Sequence, residues 1–141
     1  MRLFKSFNKY SKNIAIIDKE YSNLTYKKVL TETNKIRKKI KKRSLILIVS
    51  ENSLGSLIAY IFCIINNHVG IIIDSKTTKQ NIIKIFKSYK PNYTFISKKN
   101  NSIFKKVCSE KYIFFDQSLM KNKINNKVKL NKNLSLLLST S

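Results

Sequence analysis

Few side chains in this sequence are able to do chemistry, and their spacing limits what they can do. His68 is the only histidine in the 141-residue chain. No Ser, Cys or carboxylate stands at triad or metal-ligand spacing from it, so it reads as a turn or strand-start residue. Cys63 and Cys108 are far apart and form no Cys-x-x-Cys. That spacing speaks against a zinc ribbon, a thioredoxin-type pair or a disulfide-dense secreted scaffold, and a reduced, cytoplasmic setting is expected. Cys63 falls on an apolar helix face and belongs to a core. Asp18 and Asp74 each follow an isoleucine run, a place where a carboxylate closes a strand-end turn more readily than it acts as a general base. These residues supply neither a catalytic group nor a metal-ligand set.

Charge is the next feature. Lys and Arg number 29 against 7 Asp and Glu, a formal net charge of +22. Such a balance raises nucleic acid or an anionic membrane surface as partners. Arginine occurs only at Arg2, Arg37 and Arg43, whereas base reading and bidentate phosphate recognition favour the guanidinium fork. Lys, Asn and Ile, all heavily used here, are the residues of AT-rich coding. The charge is therefore read mainly as composition, with non-specific polyanion binding kept as a testable partner. The dense run Arg37-Lys38-Lys39-Ile40-Lys41-Lys42-Arg43 reads as the solvated last turn of a helix, its cations complementing the helix dipole. Tyr and Phe mostly interleave with Ile, the pattern of packing and not of an exposed stacking platform. A small basic nucleic-acid-binding module remains the alternative function.

The apolar periodicity gives the elements that position these residues. Ile14-Ala15-Ile16-Ile17 is a short strand. Val29, Leu30, Thr33, Ile36 and Ile40 recur at helical spacing after Leu24-Thr25-Tyr26. Leu45-Ile46-Leu47-Ile48-Val49 has the continuous apolar run of a strand buried on both faces, followed by helix-start chemistry at Glu51-Asn52-Ser53 and a helix face of Leu57, Ile58, Ile61, Phe62 and Ile65. A second buried strand, Gly70-Ile71-Ile72-Ile73-Asp74, precedes a Thr77 to Gln80 capping box and a helix carrying Ile82, Ile83, Ile85 and Phe86, ended by Pro91. Strands at Tyr93-Thr94-Phe95-Ile96, at residues 112–116 and at residues 134–138 follow. A short helical turn lies at residues 103–107, and residues 121–133 form a polar, exposed connection. Residues 54–73 approach the length of a membrane span, but Asn66-Asn67-His68 interrupts them, so no transmembrane segment is expected. The N-terminus has no signal-peptide pattern. The alternation indicates an α/β fold with a mostly parallel sheet and helices on both faces.

Four local patterns in this order resemble the adenylate-forming superfamily of acyl-CoA synthetases, nonribosomal-peptide adenylation domains and luciferases. Leu24-Thr25-Tyr26-Lys27-Lys28-Val29 is similar to the family's L-T-Y-x-E-L element, with Lys28 in the acidic position. Residues 47–53 followed by Ala59-Tyr60 are similar to the strand and helix before its K-A-G-x-x-x-P-L-D element. Residues 66–74 resemble that element itself, with Asn66-Asn67 in place of Ala-Gly and Ile72 in place of Pro. Leu136-Leu137-Leu138-Ser139-Thr140-Ser141 resembles the strand entering the phosphate loop T-S-G-[ST]-T-G-x-P-K-G.

The resemblance covers essentially the whole chain but only the N-terminal portion of the family's domain. It implies that residues 1–141 are a partial AMP-binding domain, truncated where the phosphate loop begins. It also implies the family's ligase chemistry, in which ATP and a small carboxylic acid form an acyl-adenylate that passes to a thiol or other acceptor, with ATP and Mg²⁺ required by the complete enzyme. Thr140 and Ser141 match the first two phosphate-loop positions. The glycines of that loop and the catalytic lysine motif are not in this sequence, so the chain alone is expected to be inactive and to bind neither ATP nor Mg²⁺ well.

Overall fold

In a computed structural model that describes residues 5–125, 127 and 129–138, the chain forms a layered α/β unit. Its opening hairpin pairs β1 (Ile14–Ile16) antiparallel with β2 (Leu24–Thr25). Thr25 then caps α1 (Tyr26–Arg37), its hydroxyl accepting from the Lys28 amide at 3.3 Å. The L-T-Y pattern is thus a strand end and a helix cap in one. Lys28, which stands in the element's acidic position, pairs one turn on with the buried Glu32 at 3.3 Å, and Lys35 closes on the same carboxylate at 2.9 Å.

The main sheet is built from β3 (Leu45–Ser50), β4 (Val69–Asp74), β5 (Tyr93–Ser97), β6 (Cys108–Phe114), β7 (Gln117–Asn122) and β8 (Leu136–Leu138), in the order β6-β7-β5-β3-β4-β8. The four strands β5, β3, β4 and β8 run parallel. Expectation and structure differ at the other end of the sheet. There β7 pairs antiparallel with β5, and β6 pairs antiparallel with β7, so the sheet is mixed. The strand expected at residues 112–116 begins earlier, at Cys108, and turns at Phe115-Asp116 into β7, which takes up the start of the expected polar connection. The return strand is hidden because Gln117, Ser118 and Asn122 are polar yet buried. Its turn carries no glycine; Phe115 itself adopts the left-handed region at φ 49°.

Alternation along the strands divides the core between the two faces of the sheet. Ile46, Ile48 and Phe95 meet Val29 and Ile36 of α1 and Ile58 and Phe62 of α2 (Leu54–Ile65). Leu47, Val49, Ile71 and Ile96 meet Ile82 and Phe86 of α3 (Lys79–Tyr89) and Phe104 of the 3₁₀ segment Lys98–Phe104. Helices therefore cover both faces. Helix α2 buries Leu54, Ile58, Ala59, Phe62 and Cys63, while Leu57 is 40% exposed. Its inward stripe is rotated from the expected one because nearly every position is apolar and periodicity then discriminates poorly. Helix α3 is capped by Thr78, which accepts from the Asn81 amide, one residue later than the Thr77 box.

The turn into β4 is made without the glycine of the family pattern. Asn67 adopts φ 56°, a conformation that Asn tolerates better than most residues.

Candidate functional site

The chain passes from β3 through α2 to its neighbour β4, then through α3 to β5 on the other side of β3. In open α/β sheets this reversal opens a crevice beyond the carboxyl ends of the strands. Here Ser50 and Glu51 lie at the end of β3, Asp74 at the end of β4 and Lys99 just after β5. They border a cavity of about 860 Å³, and Lys99 Nζ stands 3.3 Å from Glu51 Oε2 across the reversal point. A second cavity of about 500 Å³, on the side of α2, is bordered by Asp18, Ser50, Leu57, Tyr60, Ile72 and Leu138. Strand β8 pairs in register with β4, Ile71 opposite Leu137 and Ile72 opposite Leu138, and so delivers the chain to this same edge. Thr140 and Ser141, the two expected phosphate-loop positions, lie outside the described residues.

The amino terminus of α2 points into this region, and its anion position is filled from within. Gly55 N donates to Asp116 Oδ1 at 3.0 Å, a carboxylate placed at the positive end of the helix. Gln117 Nε2 donates to Asp116 Oδ2 at 3.2 Å and to Ser56 Oγ at 3.3 Å, and Ser56 Oγ in turn accepts from the Glu51 amide at 3.0 Å. This network joins the β6–β7 turn to the β3–α2 turn. Nothing in the sequence signals it, since Asp116 and Gln117 are 61 residues or more from their partners in the helix. Gly55 is required by it: a Cβ there would lie 2.4 Å from Asp116 Oδ1 and 2.5 Å from Gln117 Cγ.

The remaining candidates are structural. Asp74 Oδ1 accepts from the Lys76 amide, and Asp18 Oδ1 accepts from the amides of Glu20 and Tyr21, so both close strand-end turns. His68 is buried at the foot of β4, where its Nδ1 accepts from the Ser44 amide at 3.1 Å and its ring stacks on Phe62. Burial, with Arg43 close by, lowers its pKa to about 4, which keeps the imidazole neutral. Cys63 and Cys108 are buried free thiols; burial pushes Cys63 far above the ordinary thiol range and Cys108 up to about 11. Among the described residues no three His, Cys, Asp or Glu side chains gather as a metal site, and no helix is long and apolar enough to cross a membrane.

The opposite, amino edge of the sheet has a different character. Helix α1 ends at Arg37, so Lys39, Lys41, Lys42 and Arg43 lie beyond the helix and not on its solvated last turn as the run suggests. They border a cleft of about 510 Å³ together with Asn92, Tyr93, Lys121, Asn122 and Lys127. The run is legible in the sequence; its meeting with Lys121 and Lys127 is not, because that depends on β7.

Fold and site together define an α/β protein with a mixed six-stranded sheet, a mixed-charge crevice at its carboxyl edge and a basic cleft at its amino edge. No protein-family model matches the chain, and a search of curated proteins finds no match to it.

Proposed function

We propose that residues 1–141 form the N-terminal α/β part of an AMP-forming ligase, a polypeptide that joins ATP and a small carboxylic acid into an acyl-adenylate and passes the acyl group to a thiol or other acceptor. The observation that carries this reading is the pairing of β4 with β8. The two segments that resemble the family's aspartate-ended element and its entry to the phosphate loop are neighbouring parallel strands in register. Both open toward the carboxyl edge, where open α/β sheets bind ligands.

In this reading Thr140 and Ser141 begin the phosphate cradle, and the edge at Ser50, Glu51 and Asp74 forms one wall of the nucleotide site. The Asp116 contact to α2 holds that wall rigid and leaves phosphate binding to the loop after β8. Acyl adenylation needs backbone amides against the phosphates and a cation over the transferring group. The glycines and the lysine that would supply them must come from sequence beyond these residues. Mg²⁺ would accompany ATP in the complete enzyme. Two free thiols fit the reduced cytoplasm as the setting.

The test is to read the genomic sequence after the Ser141 codon and assay the resulting polypeptide. We expect a Gly-[Ser/Thr]-Thr-Gly-x-Pro-Lys continuation in frame or after a single frameshift. The extended chain should show carboxylate-dependent ATP–pyrophosphate exchange, with none from residues 1–141 alone. Absence of that continuation from all three frames, or exchange activity in the 141-residue chain, overturns the proposal.

A further inference from the structure

We infer that the cleft at the amino edge of the sheet is a binding site for single-stranded nucleic acid, held through its phosphate backbone. The inference is independent of the ligase reading, since it concerns the opposite edge of the sheet.

Strand order explains how the cleft is built. β5 lies between β3 and β7, so the start of β5, Asn92 and Tyr93, is the floor. The residues before β3 make one wall, with Lys39, Lys41 and Lys42, and the end of β7 and its continuation make the other, with Lys121 and Lys127. Two inter-strand spacings separate the walls, roughly 10 Å. That width lets cations from both sides converge on a single backbone.

The fold also separates the charges. Of the seven acidic residues, Asp18, Glu51, Asp74 and Asp116 lie at the carboxyl edge, and Glu20 stands with Asp18 and Asp116 around Tyr21. Glu32 is held by Lys28 and Lys35, and Asn101 donates to Glu110 at 2.9 Å. No acidic side chain is among the described residues bordering the basic cleft. The five lysines are exposed, and the wall that carries three of them is fixed in place by Arg43. Its guanidinium donates to the carbonyls of Asn67, Leu130, Asn131, Lys132 and Leu134 and so locks the two segments together.

Recognition by lysine ammonium groups favours phosphates without base readout. The concave shape distinguishes the site from a flat membrane-binding face, and the half-buried Tyr93 on the floor offers an aromatic edge to a splayed nucleotide.

The experiment is fluorescence anisotropy of a labelled 12-nucleotide oligo(U) with the 141-residue chain at several salt concentrations. The reversals Lys41→Glu/Lys42→Glu and Lys121→Glu/Lys127→Glu are compared with a control reversal of equal charge on α3, Lys79→Glu/Lys84→Glu. All six positions are exposed, and circular dichroism checks that each variant folds. Each cleft pair is expected to weaken binding at least 20-fold and to reduce the slope of log affinity against log salt by about 1.4, the value for two lost phosphate contacts on a single strand. The control should weaken binding less than 3-fold. Equal losses in all three variants would reduce the effect to undirected net charge and overturn the site. Tighter binding to duplex, to inorganic polyphosphate of matched charge, or to phosphatidylserine vesicles would overturn the assignment to single-stranded nucleic acid.

Discussion

At the residue scale, His68 shows how a group that could do chemistry is instead used to hold the fold. It accepts from the Ser44 amide just before β3 and stacks on Phe62, so it links the entry of two neighbouring strands. Its folded pKa, about 4, is below the ordinary value of 6.5, so the unfolded chain binds a proton first as pH falls. The stability that neutral His68 contributes is fully present above pH 6.5 and is lost as pH falls from there toward 4. A shift of this size implies a loss on the order of 2 kcal/mol between pH 7.5 and pH 5. Urea unfolding at those two pH values measures it. With a single histidine in the chain, one NMR titration assigns the proton; an imidazole titrating near 6.5 in the folded protein would refute the account.

At the element scale, the segments most legible in the sequence were those whose pattern is local. Strands β3 and β4 are continuous apolar runs because both faces are buried, and α1 shows a clean amphipathic period. Strand β7 was not legible, because its ends are buried polar residues whose partners, such as Ser56 for Gln117 and the Pro91 carbonyl for Asn122, come from distant segments. The same limit applied to the sites. The basic run could be read, but the cleft it forms and the Asp116 contact to α2 arise only when the hairpin folds back.

The connection to β8 has a comparable long-range fastening in Arg43, and it yields a prediction. Lys at this position keeps the charge but lacks the planar fork that reaches several carbonyls at once. We expect Arg43→Lys to lower amide hydrogen-exchange protection of the β8 pairing by 10-fold or more, read at Gly70, whose amide donates to Ser135, while the β3–β5 pairing keeps its protection. Uniform loss across the sheet would show that Arg43 serves global stability and not the docking of β8.

For the whole molecule, the net charge of +22 acts in two ways. Composition explains how many lysines there are; the fold determines where opposite charge accompanies them. At the carboxyl edge cations meet acids, as Lys99 meets Glu51, whereas at the amino edge several lysines face one cleft with no acidic side chain among its described borders. Like charges held together in the folded state oppose compaction, and the repulsion weakens as salt shortens its range from about 30 Å at 0.01 M to about 8 Å at 0.15 M. The melting temperature is therefore expected to rise between 10 and 150 mM NaCl by several degrees, the shift that roughly 1 kcal/mol produces in a domain of this size. The Lys41→Glu/Lys42→Glu chain, relieved of repulsion within the cleft, should melt higher at low salt and respond less to it. The α3 control with the same net charge should keep most of the dependence. If both variants respond alike, repulsion is spread over the surface and the cleft is not its focus; a melting temperature that falls with salt would mean that ion pairs such as those on Glu32 outweigh the repulsion.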